Sequence, residues 1–412
     1  MSGKLPGLDA RLAAEIATSG PMPFARFMEL ALYDPDAGYY ASGKSSIGKE
    51  GDFFTNVSIG PVYGEILAGQ FVEMWQALGR PADFTLIEQG AGDGRLARDV
   101  LDALSLTPIA GVPLFVIEPS PVLQAAQAET LRGLQVSWVP DAAALPVVCG
   151  VHYSNELFDA FPVHLLISTG DASTNTGSYD KNRGMGILPM LGKSRMGRMP
   201  MPRIRTVLDA WAERYVGLDE SGAFAWQDRP LTGELAGVVE NFPLRPAGFT
   251  TEVCLSHRPL LRALGEKISR GFLLAVDYGM SQESLLAEHR SSGTLSCYRG
   301  HRRDANPLAD PGDKDLTAHV NFTQLARDAV QAGWQFEQFT DQHHFLVGAA
   351  TAMLLALDGK TPDPASIKKV RSLQTLLHPE SLGRHFQAIL FSKGTPTTNL
   401  SGFQHARKDG LK

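Results

Sequence analysis

The chain has 412 residues, 43% hydrophobic and 20% charged, with a net charge of −6. This is ordinary globular composition, at a length that fits one large domain with additions. No long basic run suggests a nucleic-acid partner, no apolar run reaches the ~18 residues of a membrane span, and Cys149, Cys254 and Cys297 form no C-x-x-C pair for a structural zinc. The dispersed cysteines favour a reducing compartment. The first residues carry Asp9 and Glu15 and no uninterrupted apolar core, unlike a secretory signal or a transit peptide. A cytoplasmic bacterial protein is therefore expected.

Ahead of the first strand, Gly38-Tyr39-Tyr40 and Gly51-Asp52-Phe53-Phe54-Thr55 set glycine and polar residues among aromatics. Such a segment either folds over a ligand as a lid or is a surface loop with aromatic anchors. A helix is predicted over 61–78, where Val62, Ile66, Phe71, Trp75 and Leu78 fall near one face and Gly79 is the stop. The strand at 84–89 ends in Glu88 and a G-x-G-x-G loop, Gly90, Gly92 and Gly94, followed at once by a helix at 95–105. Glycines at that point let the backbone turn tightly and a ligand approach. The dinucleotide fingerprint is G-x-G-x-x-G, so this spacing, led by an acid, better suits a nucleoside without a phosphate, such as S-adenosylmethionine.

The next strand, 113–118, ends in Glu118, where doubly wound folds place an acid on ribose hydroxyls. A helix at 121–132 and a strand at 135–139 follow, and Asp141 stands where the adenine edge is expected. The fourth strand, 151–155, runs into Asn155-Glu156-Leu157-Phe158-Asp159. Two carboxylates beside a methyl donor suit a cationic nucleophile, because a guanidinium is planar, permanently charged and bound bidentately by carboxylates. The alternative is a helix start, since Asn155 and Asp159 are good capping residues.

Residues 168–204 hold five of the eleven methionines among closely spaced glycines and prolines, with no helical or strand period. They read as a mobile insertion. Beyond it come a helix at 258–269, a strand at 271–277 closing on Asp277-Tyr278-Gly279, a helix at 322–332, and strands at 335–340 and 343–348. The last two are too close for a crossover, so one must run antiparallel. His319, before the helix at 322–332, reads from pattern alone as a local hydrogen-bonding residue.

Taken in order, these segments resemble the MidA-like proteins, which include a mitochondrial complex I assembly factor that methylates arginine. The matching pieces are Phe24 to Met28 with Leu32-Tyr33, then Gly38-Tyr39-Tyr40, Gly51 to Thr55, the Glu88 loop and Glu118-Pro119-Ser120-Pro121. They continue with Asn155 to Pro162, Asp277-Tyr278-Gly279, Asp315-Leu316-Thr317-Ala318-His319-Val320, and Gln342 to Leu346. Together they cover roughly 20–350 outside the insertion. The resemblance implies a class I methyltransferase fold, α/β with a mostly parallel Rossmann-like sheet and one antiparallel strand near the end. It implies S-adenosylmethionine as cofactor, a protein substrate with an arginine acceptor, and no metal.

The cofactor contacts expected are Asp52, Thr55, Glu88, Gly90, Gly92, Gly94, Glu118, Asp141 and Asn155; the catalytic residues expected are Glu156, Asp159 and His319. Departures are Asn56-Val57-Ser58 in place of Ser-Pro-Glu, Ala91 in place of a proline, and Asn321 in place of an acid. The expected organisation is an N-terminal helical and lid segment (1–60), a cofactor-binding core (61–160 and 250–350), an inserted subdomain (161–249), and a C-terminal helical extension and tail (351–412). A homo-oligomer is compatible with the sequence. A non-catalytic assembly factor on the same fold is the competing function; a nicotinamide-dependent oxidoreductase is disfavoured by the glycine spacing.

Overall fold

A computed structural model describes residues 7–41, 56–170, 207–299, 302–358, 361, 363–378, 383–395, 399–406 and 411. Its centre is an eight-stranded sheet whose main path is built from β1 (Phe84–Gln89), β2 (Leu114–Ile117), β3 (Val136–Val139), β4 (Val148–Asn155), β5 (Ile268–Met280), β6 (Gln335–Asp341) and β7 (Phe386–Lys393), with the two-residue strand Val320–Asn321 paired parallel to the end of β5. The spatial order is β3-β2-β1-β4-β5-β7-β6. Pairings from β3 through β5 are parallel, and β7 runs antiparallel to both β5 and β6. β1 and β4 are almost continuously buried, as strands covered on both faces are, although each carries polar residues toward its carboxyl end. One face is covered by a core that includes Phe71, Leu101, Phe345 and Leu376; Leu261, Leu325 and Trp334 pack on the other.

The reversed strand is not where the sequence suggested. Residues 343–348 lie in the helix Gln342–Ala349, started by Asp341, whose carboxylate accepts from the His344 N–H at 2.9 Å. The run His-His-Phe-Leu-Val is too short for its period to separate strand from buried helix, and the cap decides. β7 comes instead from the stretch expected to be a helical extension and tail, where Ala388 to Phe391 are fully buried. Leu400 and Phe403, further into that tail, also sit in the core.

The segment between β4 and β5 adds a second sheet, antiparallel, in which Val163–Ser168 pairs with Trp211–Leu218 and with Thr250–Cys254. Met22–Pro23 from the N-terminus joins its edge. The helices Leu8–Ser19 and Phe24–Tyr33 pack there through Leu12, Phe24, Phe27 and Met28. The inserted subdomain and the N-terminal helices thus share one core and stand over the carboxyl ends of the main strands. The expected mobile stretch lies almost wholly outside the described residues.

Candidate functional site

The chain changes direction in the sheet between β1 and β4, and in open α/β sheets ligands bind at that switch point, outside the carboxyl ends of the strands. A cavity of about 1050 Å³ lies there, lined by the ends of β1, β2 and β4 and roofed by Tyr33, Tyr39 and Tyr40.

At its floor, Glu88 is buried and accepts from the Tyr153 hydroxyl at 2.8 Å. Burial pushes its pKa up to about 8 against that hydrogen bond. Gly90, Gly92 and Gly94 all have positive φ, at 77°, 55° and 86°, which only glycine adopts freely. Gly90 and Gly92 line the cavity. Gly94 does not: it opens the helix Arg95–Leu104, and a Cβ there would touch Gln127 and Leu131 at 3.4 Å. Its close neighbours are those packing residues rather than the cavity, unlike Gly90 and Gly92.

Glu118 is buried and held by the Ser120 N–H at 2.8 Å and the Gln127 amide at 3.1 Å. Burial raises its pKa, with those two donors opposing. Asp141 is exposed and caps the short helix Ala142–Ala144 by accepting from the Ala144 N–H at 3.0 Å. It does not line the cavity, and the structure gives its side chain the capping role. An acid just past a strand fits a turn cap as well as a ligand contact, which is why sequence could not separate the two. Asp52 and Thr55 fall outside the described residues.

After β4 no helix follows, which removes the capping alternative for Asn155 and Asp159. Glu156 adopts φ +55°, uncommon for a side chain of its length. Its N–H donates to Val276 O at 3.0 Å, and the buried Asp277 carboxylate accepts from the Leu157 and Phe158 N–H groups at 3.0 and 2.7 Å. Asp277 therefore fixes the turn that presents Glu156. Asn155 donates to Glu156 Oε1 at 2.9 Å.

Around this turn the carboxylates concentrate. Glu156, Asp159, Asp277 and Asp315 act on one another electrostatically. Burial first, then Asp159, pushes Glu156 up to about 8; burial, with Glu156 close by, pushes Asp277 up to about 7; burial with Asp277 and Asp315 raises Asp159 well above the carboxylate range. Tyr40 donates to Asp315 at 2.8 Å and stacks on Tyr33 with ring centres 5.6 Å apart. Tyr33 in turn donates to Ala160 O at 2.9 Å. His319 lines the same cavity. Burial, with Arg290 nearby, lowers its pKa to about 4, and its buried Nδ1 has no hydrogen-bond partner. Among the described residues the cavity wall holds acidic side chains and neither lysine nor arginine.

The structure thus gathers Glu88, Gly90, Gly92, Glu118, Asn155, Glu156, Asp159 and His319 at one cavity. Sequence reasoning did not assign Asp277, Asp315 or Tyr33 to the site, and offered Tyr40 only within a segment read as either a lid or a surface loop. The available signal was that all four stand in the family-like segments. Asn321 caps the helix Phe322–Gln331 and is not in the cavity wall, so the missing acid there removes no charge from the described site. No group of three or more metal-ligating side chains occurs among the described residues, and none of their helices is long and apolar enough to cross a membrane.

A family model for S-adenosyl-L-methionine-dependent methyltransferases matches residues 66–340. A protein arginine methyltransferase NDUFAF7 homolog, mitochondrial, from Drosophila melanogaster is 30% identical over 338 residues, covering 79% of this chain and 70% of its own. The NDUFAF7 protein of Danio rerio is 27% identical over 394 residues, covering 91% and 84%. A crystal structure of a COG1565 superfamily member from Burkholderia thailandensis, bound to S-adenosyl-homocysteine, aligns over 100% of both chains with a TM-score of 0.79 and 30% identity. The cavity suits that cofactor: a glycine loop open to close approach, two buried acids at adjacent strand tips, and room for a nucleoside. By sequence and by fold, the chain belongs to the MidA-like family of S-adenosylmethionine-dependent methyltransferases.

Proposed function

We propose that the enzyme methylates an arginine side chain of a protein, and the observation that carries this is the acidic cavity beside the cofactor loop with no lysine or arginine in its described wall. Buried carboxylates without a cation are costly. Their raised pKa values record that cost, and a guanidinium entering the cavity relieves it. The names of the curated relatives point the same way. For the protein acceptor, the family resemblance suggests a respiratory complex I subunit.

S-adenosylmethionine supplies an already activated methyl group on a sulfonium, so the protein has mainly to bind, align and exclude water. Glu118 accepts the ribose hydroxyls, while Glu88, Gly90, Gly92 and Asn155 form the wall on the methionine side. Glu156 and Asp159 bind the guanidinium through charge-assisted hydrogen bonds. As the new N–C bond forms and the S–C bond breaks, the attacking nitrogen loses a proton. Glu156, with a pKa near the working pH, is suited to receive it. His319 stays neutral at that pH and offers its unpartnered Nδ1 as an acceptor for a guanidinium N–H.

Two outcomes are expected here. Glu118→Ala weakens S-adenosylmethionine binding about 10- to 100-fold, the range for losing hydrogen bonds made by a buried acid; calorimetry with unchanged affinity would remove the ribose role. Second, the initial rate at subsaturating substrate climbs as pH rises through about 8, because Glu156 must ionise to bind a cation, and flattens above. A rate that falls over that window contradicts cation binding by this acid.

A further inference from the structure

Three buried amides stand behind the Glu156 carboxylate, drawn from segments far apart in the chain. Asn56 and Gln342 are fully buried and Asn155 nearly so. Gln342 is the first residue of the helix Gln342–Ala349, Asn56 begins the short helix Asn56–Ile59, and Asn155 ends β4.

Their hydrogen bonds have a fixed direction. The main-chain carbonyl of Leu376 can only accept, and Gln342 Nε2 donates to it at 3.5 Å. The second Nε2 hydrogen goes to Asn56 Oδ1 at 2.9 Å, and Gln342 Oε1 accepts from Asn56 Nδ2 at 2.8 Å. That leaves one hydrogen on Asn56 Nδ2, which goes to Asn155 Oδ1 at 2.9 Å. With its oxygen so occupied, Asn155 must turn its NH₂ to Glu156, and it does, to Oε1 at 2.9 Å. Each side-chain amide has one orientation that satisfies the set. The chain ends by presenting a donor to the carboxylate, which favours its ionised, accepting form.

We propose that the side-chain amides of Gln342 and Asn56 are positioning groups for methyl transfer: Asn56 reaches the Glu156 carboxylate only through its backbone N–H, while its side chain and that of Gln342 act through Asn155, whose amide they orient toward Glu156 Oε1. The proposal rests on the reading of Glu156 as the guanidinium-binding acid for its catalytic meaning, but its structural content is separable. Besides the Asn155 amide, the groups acting on Glu156 from the surrounding elements are Asp159, Asp277, Asp315, Tyr63 and Tyr278, together with the Asn56 backbone N–H, which donates to it and is kept in any side-chain variant. The carboxylates among these favour the protonated acid, so the amide chain opposes its own surroundings. Without the chain, Asn155 is free to flip and present its oxygen instead.

The test is a pH titration of protein carrying ¹³C-labelled glutamate carboxyls, with the Glu156 resonance identified by its loss in Glu156→Gln. Gln342→Met keeps the side-chain length and removes both polar atoms; Asn56→Ser, a smaller change, is the second variant should the first fail to fold. In each folded variant the Glu156 midpoint is expected to move alkaline by roughly half a unit to one unit, the scale of one hydrogen bond to a charged group. A midpoint within 0.2 units (roughly the resolution needed against such a shift) of wild type in a folded variant overturns the proposal. Normal methylation by Glu156→Gln would instead sink the catalytic reading while leaving the titration result standing, so the two failures are distinguishable.

Discussion

Replacing Glu156 with glutamine is expected to cut kcat/KM for methyl transfer about 10²- to 10³-fold, the cost of removing one partner of a buried charge pair, while making the protein more stable at pH 8. Both effects come from one carboxylate. In the folded protein its pKa lies at about 8 rather than the ordinary 4.5, because it is buried beside Asp159. The folded state therefore holds a proton that the unfolded chain releases as pH passes 4.5. Stability falls as pH rises from about 4.5 to about 8, and the loss is complete above 8. Glutamine carries no charge at any of these pH values and retains an oxygen for the Asn155 bond. The variant should thus gain about 1–3 kcal/mol over wild type at pH 8 and nothing near pH 4.5. Denaturant melts at the two pH values check the stability term and initial rates the catalytic one. A variant less stable than wild type at pH 8 contradicts the electrostatic argument.

The second large effect is expected at the cofactor loop. Gly90→Val should weaken S-adenosylmethionine binding by about 100-fold or more, on the order of 3 kcal/mol. Gly90 has φ +77°, a conformation that is strained for any side chain and worst for a β-branched one. A Cβ there would also stand 3.3 Å from Leu157 Cδ1 and 3.4 Å from Leu157 Cβ. Leu157 cannot easily retreat, because its N–H is tied to Asp277. The loop must shift instead, against the wall the cofactor needs. Calorimetry on the folded variant decides; binding within threefold of wild type (about 0.6 kcal/mol) would mean that the loop is not the cofactor wall.

The cofactor half of the site was legible because its chemistry is written in short consecutive stretches. Glycines that need positive φ directly follow an acid at a strand tip, and the next strand also ends in an acid. The acceptor half was only half legible. Glu156 and Asp159 share one turn and were visible as a pair, whereas Asp277 and Asp315 come from other segments and join them only in space. Nothing in Asp277-Tyr278-Gly279 separates a turn residue from the carboxylate that holds Leu157 and Phe158 in place. Gln342 and Asn56 were opaque for the same reason: a buried amide shows its meaning only through its partners, 286 residues apart here. In the fold, β7 was missed because its apolar run, Ala388 to Phe391, is only four residues long within the 351–412 stretch expected to be a helical extension and tail, and because a five-residue run at 343–347 imitated the strand expected. The second sheet was missed because its strands are short and carry polar residues, as in Thr250–Cys254.

The most direct measurement is the fate of a labelled methyl group. The protein is incubated with methyl-labelled S-adenosylmethionine and a cell extract, the protein fraction is hydrolysed to amino acids, and the label is identified, in parallel with Glu156→Gln. Label in methylated arginine, abolished by the substitution, is the expected result. Label in another amino acid, or label in arginine undiminished by Glu156→Gln, would contradict a guanidinium held by the buried carboxylates.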